Sequence, residues 1–395
     1  MGWKESDRVS ERMEFVRLAN VEGVNFTHLC QRFGISRKTG YKWVGRWKES
    51  GDLEDQSRRP IRSPKKTTGD AEQAILKLRS AHPTWGGRKL RKRLLALGSP
   101  CVPSASTITA ILHRHGLICP QESGKHVAFS RFERGAPNDL WQMDFKGEFD
   151  LSTRKKCYPL TILDDHSRYS LGIRACRNQR RLTVKGQLRD VFDNYGIPWA
   201  IYVDNGTPWG TSNRSTRHTR LSVWLMRHDI EVIHGRPYHP QGRGKVERFH
   251  RTLKQEVIQG RQFGSIERTQ SVFDDWRIVY NHERPHESLG DTPPGNHYRV
   301  SERTFLEHPF EYSTRFETRR ANRGSQISFK GTRYRLSEVF TDQWIGLCPT
   351  LTDGLWDVYY CRFAIGQLDE RTGKISRSSR LAEFRYAPSS QPAGD

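Results

Sequence analysis

The sequence predicts a multidomain α+β protein: helical modules first, then a mixed α/β body, then a small β-barrel. Three observations predict it. Apolar residues recur at helical spacing up to about Gly116. From Leu140 to about residue 300, strand-like alternation and helical periodicity take turns. From Gln326 to Leu368, short alternating runs are separated by Gly and Asp turns. Period 2 marks strands and period 3.6 marks helices. A chain of 395 residues has room for two to four domains. The expected division is 1–50, a basic linker 51–68, 69–118, a second linker 119–138, 139–300, 320–385 and a disordered tail 386–395.

Taken in order, a first helix is expected over Arg8 to Val21. Asn25 or Thr27 caps a second, which runs to Phe33. Gly34 makes the turn and Ser36 caps a third, SRKTGYKWVGRW. A short helix, a Gly turn and a longer helix make helix-turn-helix geometry. Tyr41, Val44 and Trp47 are expected in the core. Arg37, Lys38, Lys42 and Arg46 are then left for a DNA groove and its phosphates. The plain alternative is a three-helix bundle with a solvated basic face. Asp52 to Thr68 has basic residues, two prolines and no periodicity, which suits either a minor-groove segment or a flexible tether. A second helical set follows: Ala74, Ile75 and Leu78, then Leu90, Leu94, Leu95 and Leu97. Ser104 caps the last helix and Gly116 stops it. Arg88, Lys89, Arg91, Lys92 and Arg93 make its basic face, which is either solvated or directed at DNA.

Charge narrows the partner. Lys plus Arg number 66 against 44 Asp plus Glu, a net charge of +22. That excess favours a polyanion, nucleic acid before membrane. Seven cysteines without a CxxC pair argue against a disulfide framework or a zinc knuckle and fit a reducing cytosol. No signal peptide is expected, and no apolar run is long enough to span a bilayer.

The central body opens on LWQMDFKG, Leu140 to Gly147. Trp141, Met143 and Phe145 alternate with Gln142, Asp144 and Lys146, so an acid sits in mid-strand, where β-propensity disfavours it. Cys157 to Leu163 and Tyr169 to Arg174 form a hairpin about DDHSR. A helix is expected over Leu182 to Tyr195. Trp199 to Val203 is a buried strand that ends in Asp204. Leu221 to His228 is a helix, Ile230 to Ile233 a strand, and Gly244 to Ile258 a helix with Glu247 in its first turn. Three antiparallel strands followed by alternating helix and strand is the ribonuclease H-like order. Asp144 and Asp204 then lie on neighbouring strands, and Asp204 ends its strand, where α/β sheets place ligands. Phosphodiester cleavage at neutral pH calls for an activated hydroxyl and a neutralised leaving oxygen. Two hard cations held by carboxylates supply both. Taken singly, Asp144 is also a solvated strand residue and Glu247 an ordinary helix N-terminal acid. Asp164, Asp165, Glu148, Asp150 and Glu231 are set aside as turn or strand-end residues.

At these residues a resemblance is plain. WQMDFKG, LDDHSRY, VDNGTPW, RPYHPQGRGKVERFHRTLK and YNHERPHESLG resemble the catalytic core of integrase-type DDE transposases of bacterial insertion sequences. LSVWL before IEVIHGRPYHPQG most resembles insertion-sequence family 481. The resemblance covers nearly the whole chain. It implies a retroviral-integrase-type core and an SH3-like C-terminal barrel. It also implies Asp144, Asp204 and Glu247 as a triad binding two Mg²⁺ or Mn²⁺ ions, with Asn205 and Gly206 in the active-site loop. The interval from Asp204 to Glu247 is longer than in the wider superfamily, the extra length falling in Trp209 to Arg220. Double-stranded DNA, as element ends and target, is the implied partner. The ends would be bound through residues 1–116 by a homo-oligomer in the bacterial cytoplasm, with no membrane. Arg88, Lys89, Arg243, Lys245, His250, Arg251 and Lys254 are expected to meet that DNA. Two rivals stand: a helix-turn-helix regulator with an inactive core, and a simple ribonuclease H-like nuclease.

Overall fold

The computed structural model describes residues 8–55, 67–118, 133–210, 218–235, 244–305 and 310–376. The expected disordered tail and most of both expected linkers lie outside them. The chain divides into two units, Met1–Lys66 and Thr67–Asp395.

The first unit holds α1 (Arg8–Ala19), α2 (Phe26–Arg32) and α3 (Arg37–Ser50). Asn25 caps α2, its Oδ1 accepting from His28 N at 3.1 Å, and Ser36 caps α3 by accepting from Thr39 N at 3.2 Å. Phe15, Val16, Leu29, Cys30, Trp43 and Leu53 form the core. The core face of α3 is therefore not the expected one: Tyr41 is 55% exposed and Trp47 36%, while Trp43 is buried. Gly40 decides this. A Cβ there would lie 2.8 Å from Cys30 Sγ and 2.9 Å from Phe15, so the helix is pressed inward along Gly40 and Trp43. Tyr41 is left to stack on Phe26 at 4.3 Å.

The second unit begins with α4 (Gly69–Ala81), α5 (Gly87–Ala96) and α6 (Ala105–Arg114). Ile75, Trp85, Leu90, Leu94, Ile108, Ile111 and Leu112 fill their core. Leu95 and Leu97, grouped with Leu90 and Leu94 in the sequence pattern, are exposed, because Leu90 and Leu94 already occupy the buried stripe of α5.

A mixed sheet forms the central body: β1 (Leu140–Phe145), β2 (Phe149–Asp150), β3 (Lys156–Asp164), β4 (Ser170–Cys176), β5 (Ala200–Val203) and β6 (Glu231–His234). The order is β2-β3-β1-β5-β6, with β4 also paired to β3. β1 pairs antiparallel with β3 and parallel with β5. On one face lie α7 (Arg181–Tyr195) and α8 (Arg220–Arg227); on the other, α9 (Gly244–Leu253) and α10 (Ile266–His282). Both faces of β1 are covered at its start, so Gln142 is buried beside Trp141 and Met143.

Two differences from the expected pattern have physical causes. The helix from Gly244 is not uniform: after Leu253 it widens into a π-helical turn, Lys254–Ile258, closed by Gln259 N donating to Lys254 O at 2.8 Å. The seventeen residues of α10 are unanticipated by periodicity. Its inward face is partly polar because it covers the free edge of β4. Gln270 accepts from Ala175 N at 2.8 Å and donates to Ile173 O at 2.9 Å. Asn281 does the same at Ser170, at 2.8 and 3.0 Å. The side-chain amides replace the missing neighbouring strand.

The C-terminal sheet runs through β7 (Glu317–Arg320), β8 (Gln326–Phe329), β9 (Thr332–Arg335), β10 (Trp344–Pro349), β11 (Leu355–Tyr360), β12 (Phe363–Asp369) and β13 (Lys374–Ser376). β13-β12-β11-β10-β7 make one antiparallel sheet and β8-β9 a hairpin. Val223 and Met226 of α8 join this second core, while Leu221 and Leu225 join the central one. A helix buried on two sides reads as continuous apolar sequence, which is what LSVWLM is.

Candidate active site

β1 and β5 hold the first two acids. Their register pairs Leu140 with Ala200, Trp141 with Ile201 and Gln142 with Tyr202. Continued by two residues, it sets Asp144 beside Asp204 at the carboxyl ends of two parallel strands. Both are half-buried. The loop after Asp204 is tight. Gly206 N donates to Asp204 Oδ1 at 3.1 Å, and a Cβ on Gly206 would meet Asp204 Oδ2 at 3.1 Å. Asn205 donates to Gly235 O at 2.9 Å, and His234 Nδ1 lies 3.2 Å from Asp204 O. A Cβ on Gly210 would lie 2.0 Å from Asn205 O, so only glycine closes this turn. Trp209 is buried and stacks on Phe145, anchoring the loop to β1.

Glu247 is exposed in the first turn of α9, whose Val246, Phe249 and Leu253 are buried. One turn on, His250 Nε2 lies 2.7 Å from Thr161 Oγ1. Thr161 faces Asp144 across the ladder and donates its hydroxyl proton to Asp144 O at 3.0 Å. His250 therefore donates to Thr161 and ties the Glu247 helix to the Asp144 strand. Among the described residues, no three His, Cys, Asp or Glu side chains form a group that could hold a metal ion. The carboxylates offer hard oxygen donors that suit Mg²⁺ or Mn²⁺. The strands align the two aspartates, and α9 carries Glu247 one turn before His250, which joins that helix to Thr161.

The expected DNA residues separate into two groups. Arg37, Lys38 and Lys42 are exposed on α3, and Lys42 and Arg46 lean on Trp43 at 5.0 and 5.3 Å. Arg251 and Lys254 are exposed beyond Glu247. Others are engaged within the fold. Lys245 pairs with buried Asp165 at 2.7 Å, Arg88 with Glu287 at 3.0 Å, and His250 with Thr161. Arg243 lies outside the described residues. Lys146, read only as a neighbour of Asp144, has its ammonium pushed down by burial and by the charge of Lys254.

The DDHSR turn is buried. Asp164 accepts from Ser167 N at 2.8 Å and from Asn138 N at 2.8 Å. Burial pushes its carboxyl up, and these hydrogen bonds oppose that rise. Asp165 accepts from Gln142 at 2.6 Å, from Arg134 N at 2.9 Å and from Lys245. The pair fixes the β3–β4 turn to β1 and α9.

The Integrase core domain family matches residues 134–240 and, in a second form, 228–294; a Helix-turn-helix domain matches 11–61 and a Homeodomain-like domain 39–112. Residues 316–376 match the C-terminal domain of IS481 family transposases. The chain thus carries an integrase core domain and, after it, a segment similar to the C-terminal domain of IS481 family transposases. Among curated relatives of this integrase-core chain is an uncharacterized protein of insertion element IS476 from Xanthomonas euvesicatoria. It is 33% identical over 159 residues, which cover 40% of this chain and 43% of that protein. An uncharacterized protein of insertion element IS407 from Burkholderia multivorans is 26% identical, covering 40% and 55%. The chain thus spans about half the length of these relatives. Among solved structures, the HTLV-2 integrase catalytic core domain in complex with magnesium is 14% identical with a TM-score of 0.32, covering 42% of this chain and 99% of that one.

Proposed function

We propose that this chain is a DNA transposase that binds the terminal inverted repeats of its insertion sequence, cleaves there and transfers the strand to target DNA. The observation that carries the reading is the β1–β5 register, which sets Asp144 and Asp204 side by side on the strands of an integrase core. Asp144, Asp204 and Glu247 would hold the divalent ions, two in number. When bound, the ions supply charge neutralisation at the phosphate and lower the pKa of a bound water. The chain's own residues position the substrate. Lys146, Arg251 and Lys254 offer cations along the strand-and-helix face beside the acids, where neighbouring phosphates of one DNA strand would lie. Phosphoryl transfer depends chiefly on such placement and charge. The exposed basic residues of α3 would grip the element ends, and pairing of two ends calls for more than one copy of the chain.

The test is purified full-length protein with a duplex carrying the element's end, in Mg²⁺ and in chelator. The expected result is a metal-dependent nick that exposes a 3′-hydroxyl, followed by joining to a second duplex. Specific binding without a nick would favour the inactive regulator. Nicking without joining would favour a simple nuclease. Either would overturn the transposase reading.

A further inference from the structure

We propose that Lys89, Arg248, Arg284 and His286 form a seat for one backbone phosphate of duplex DNA, beside the helix that carries Glu247. The proposal rests on the reading that this chain handles DNA, not on the catalytic triad.

The seat is assembled by contacts between α5, α9 and the turn after α10. Arg93 pairs with Glu283 at 2.7 Å and Arg88 with Glu287 at 3.0 Å, which lays α5 and its Lys89 along that turn. Arg284 is buried, with its Nε 3.2 Å from Glu256 and its guanidinium 6.0 Å from the Tyr280 ring. His286 stands edge-on to the same ring at 4.8 Å. Phe249 meets Tyr280 at 4.9 Å, and Arg248 precedes it on α9. Arg284 and His286 therefore gather around one aromatic ring, and Lys89 and Arg248 lie on the two helices that these contacts bring beside it.

Two features indicate an anion there. The Nε2 of His286 is buried and has no hydrogen-bond partner. Buried polar atoms are seldom left so, and each such exception needs an explanation. The charges are also unbalanced. Glu256 is engaged by Thr84, Trp276 and Arg284, and Glu283 and Glu287 by Arg93 and Arg88. Among the described residues, no carboxylate forms a salt bridge with Lys89 or Arg248. Burial, with Arg284 and Arg248 nearby, pushes the Lys89 ammonium down to about 8. Burial and the charges of Arg284, Lys89, Arg168 and Arg248 hold His286 neutral. A neutral imidazole with its proton on Nε2 donates one hydrogen bond to a phosphate oxygen. The cations supply charge-assisted bonds to the other oxygen. A phosphodiester carries one negative charge and two such oxygens, and the +22 chain attracts its polymer.

Binding of the full-length chain to a labelled duplex of about 30 base pairs over a salt series tests the seat. A protein loses about one unit of salt slope for each phosphate contact removed. Arg248→Gln, at an exposed position, is expected to weaken binding several-fold and lower the slope by about one. Lys77→Gln, exposed on α4 and outside the seat, is expected to keep the wild-type slope. Lys89 acetylation, read by mass spectrometry, is expected to be blocked by the duplex and not by inorganic phosphate. A wild-type slope in Arg248→Gln, an equal fall in Lys77→Gln, or undiminished Lys89 acetylation on DNA would overturn the seat. Equal protection by inorganic phosphate would overturn its assignment to duplex DNA. These readouts need no cleavage, so an inactive triad leaves them readable.

Discussion

At the residue scale, the three acids differ in how they are held, and their substitution should still give one result. Asp144 sits within a ladder, Asp204 at a strand end and Glu247 on an exposed helix turn. Asp144→Asn, Asp204→Asn and Glu247→Gln each remove one negative charge and little volume. Each is expected to lower cleavage and joining roughly a hundredfold or more, about 3 kcal/mol of barrier, while end-binding in a gel-shift assay stays near wild type. One variant with near wild-type strand transfer in Mg²⁺ would remove that residue from the site. Lys89 makes a second prediction. Its pKa in the fold is about 8 against an ordinary 10.5, so folding works against its protonated form. That cost is fully present below pH 8, shrinks as pH rises from 8 towards 10.5, and is gone above it. Lys89→Met should therefore be more stable relative to wild type at pH 7 than at pH 10. Chemical denaturation of both proteins across that range, without DNA, reads the narrowing gap; a constant gap would contradict it.

At the element scale, α10 shows why a helix can be missing from a hydrophobic pattern. Its amides at Gln270 and Asn281 complete the hydrogen bonding of β4, an edge strand. Asn281→Leu keeps the volume but leaves Ser170 N and O without those partners. An unmatched buried group costs about 1–3 kcal/mol, so this variant should lose about that much stability in a urea titration despite its greater hydrophobicity. A neutral or stabilised variant would mean that the strand edge is satisfied otherwise. The π turn at Lys254–Ile258 belongs to the same scale. It keeps Val257 buried while Glu256 reaches Thr84, Trp276 and Arg284. One widened turn thereby links the Glu247 helix to the second helical set.

At the scale of the whole molecule, α8 joins two cores. Leu221 and Leu225 pack under the mixed sheet, Val223 and Met226 under the C-terminal sheet. Met226→Ala should cost about 2–5 kcal/mol, as other large-to-small core changes do. The loss should appear in calorimetry of the Thr67–Asp395 unit, with the Met1–Lys66 unit unaffected. Loss confined to the first unit would contradict that division. The second helical set is likewise part of the larger unit. Val279 of α10 packs against its core, and Arg93 reaches Glu283. Basic residues that look like a free DNA face in sequence thus serve partly to dock helices.

The sequence by itself determined the caps at Ser36 and Ser104, narrowed that of α2 to Asn25 or Thr27, and set out the alternation of β1 and the order of strands and helices as far as α9, because these depend on local periodicity and short-range hydrogen bonds. It also marked Asp144, Asp204 and Glu247, since acids interrupting apolar runs stand out in a one-dimensional pattern. Only the tertiary structure decided which cations are left for a ligand. Lys245 is bound to Asp165, Arg88 to Glu287 and His250 to Thr161, through partners 80, 199 and 89 residues away. Charge and hydrogen bonding act through space, and no local pattern in the chain records a partner so far along it.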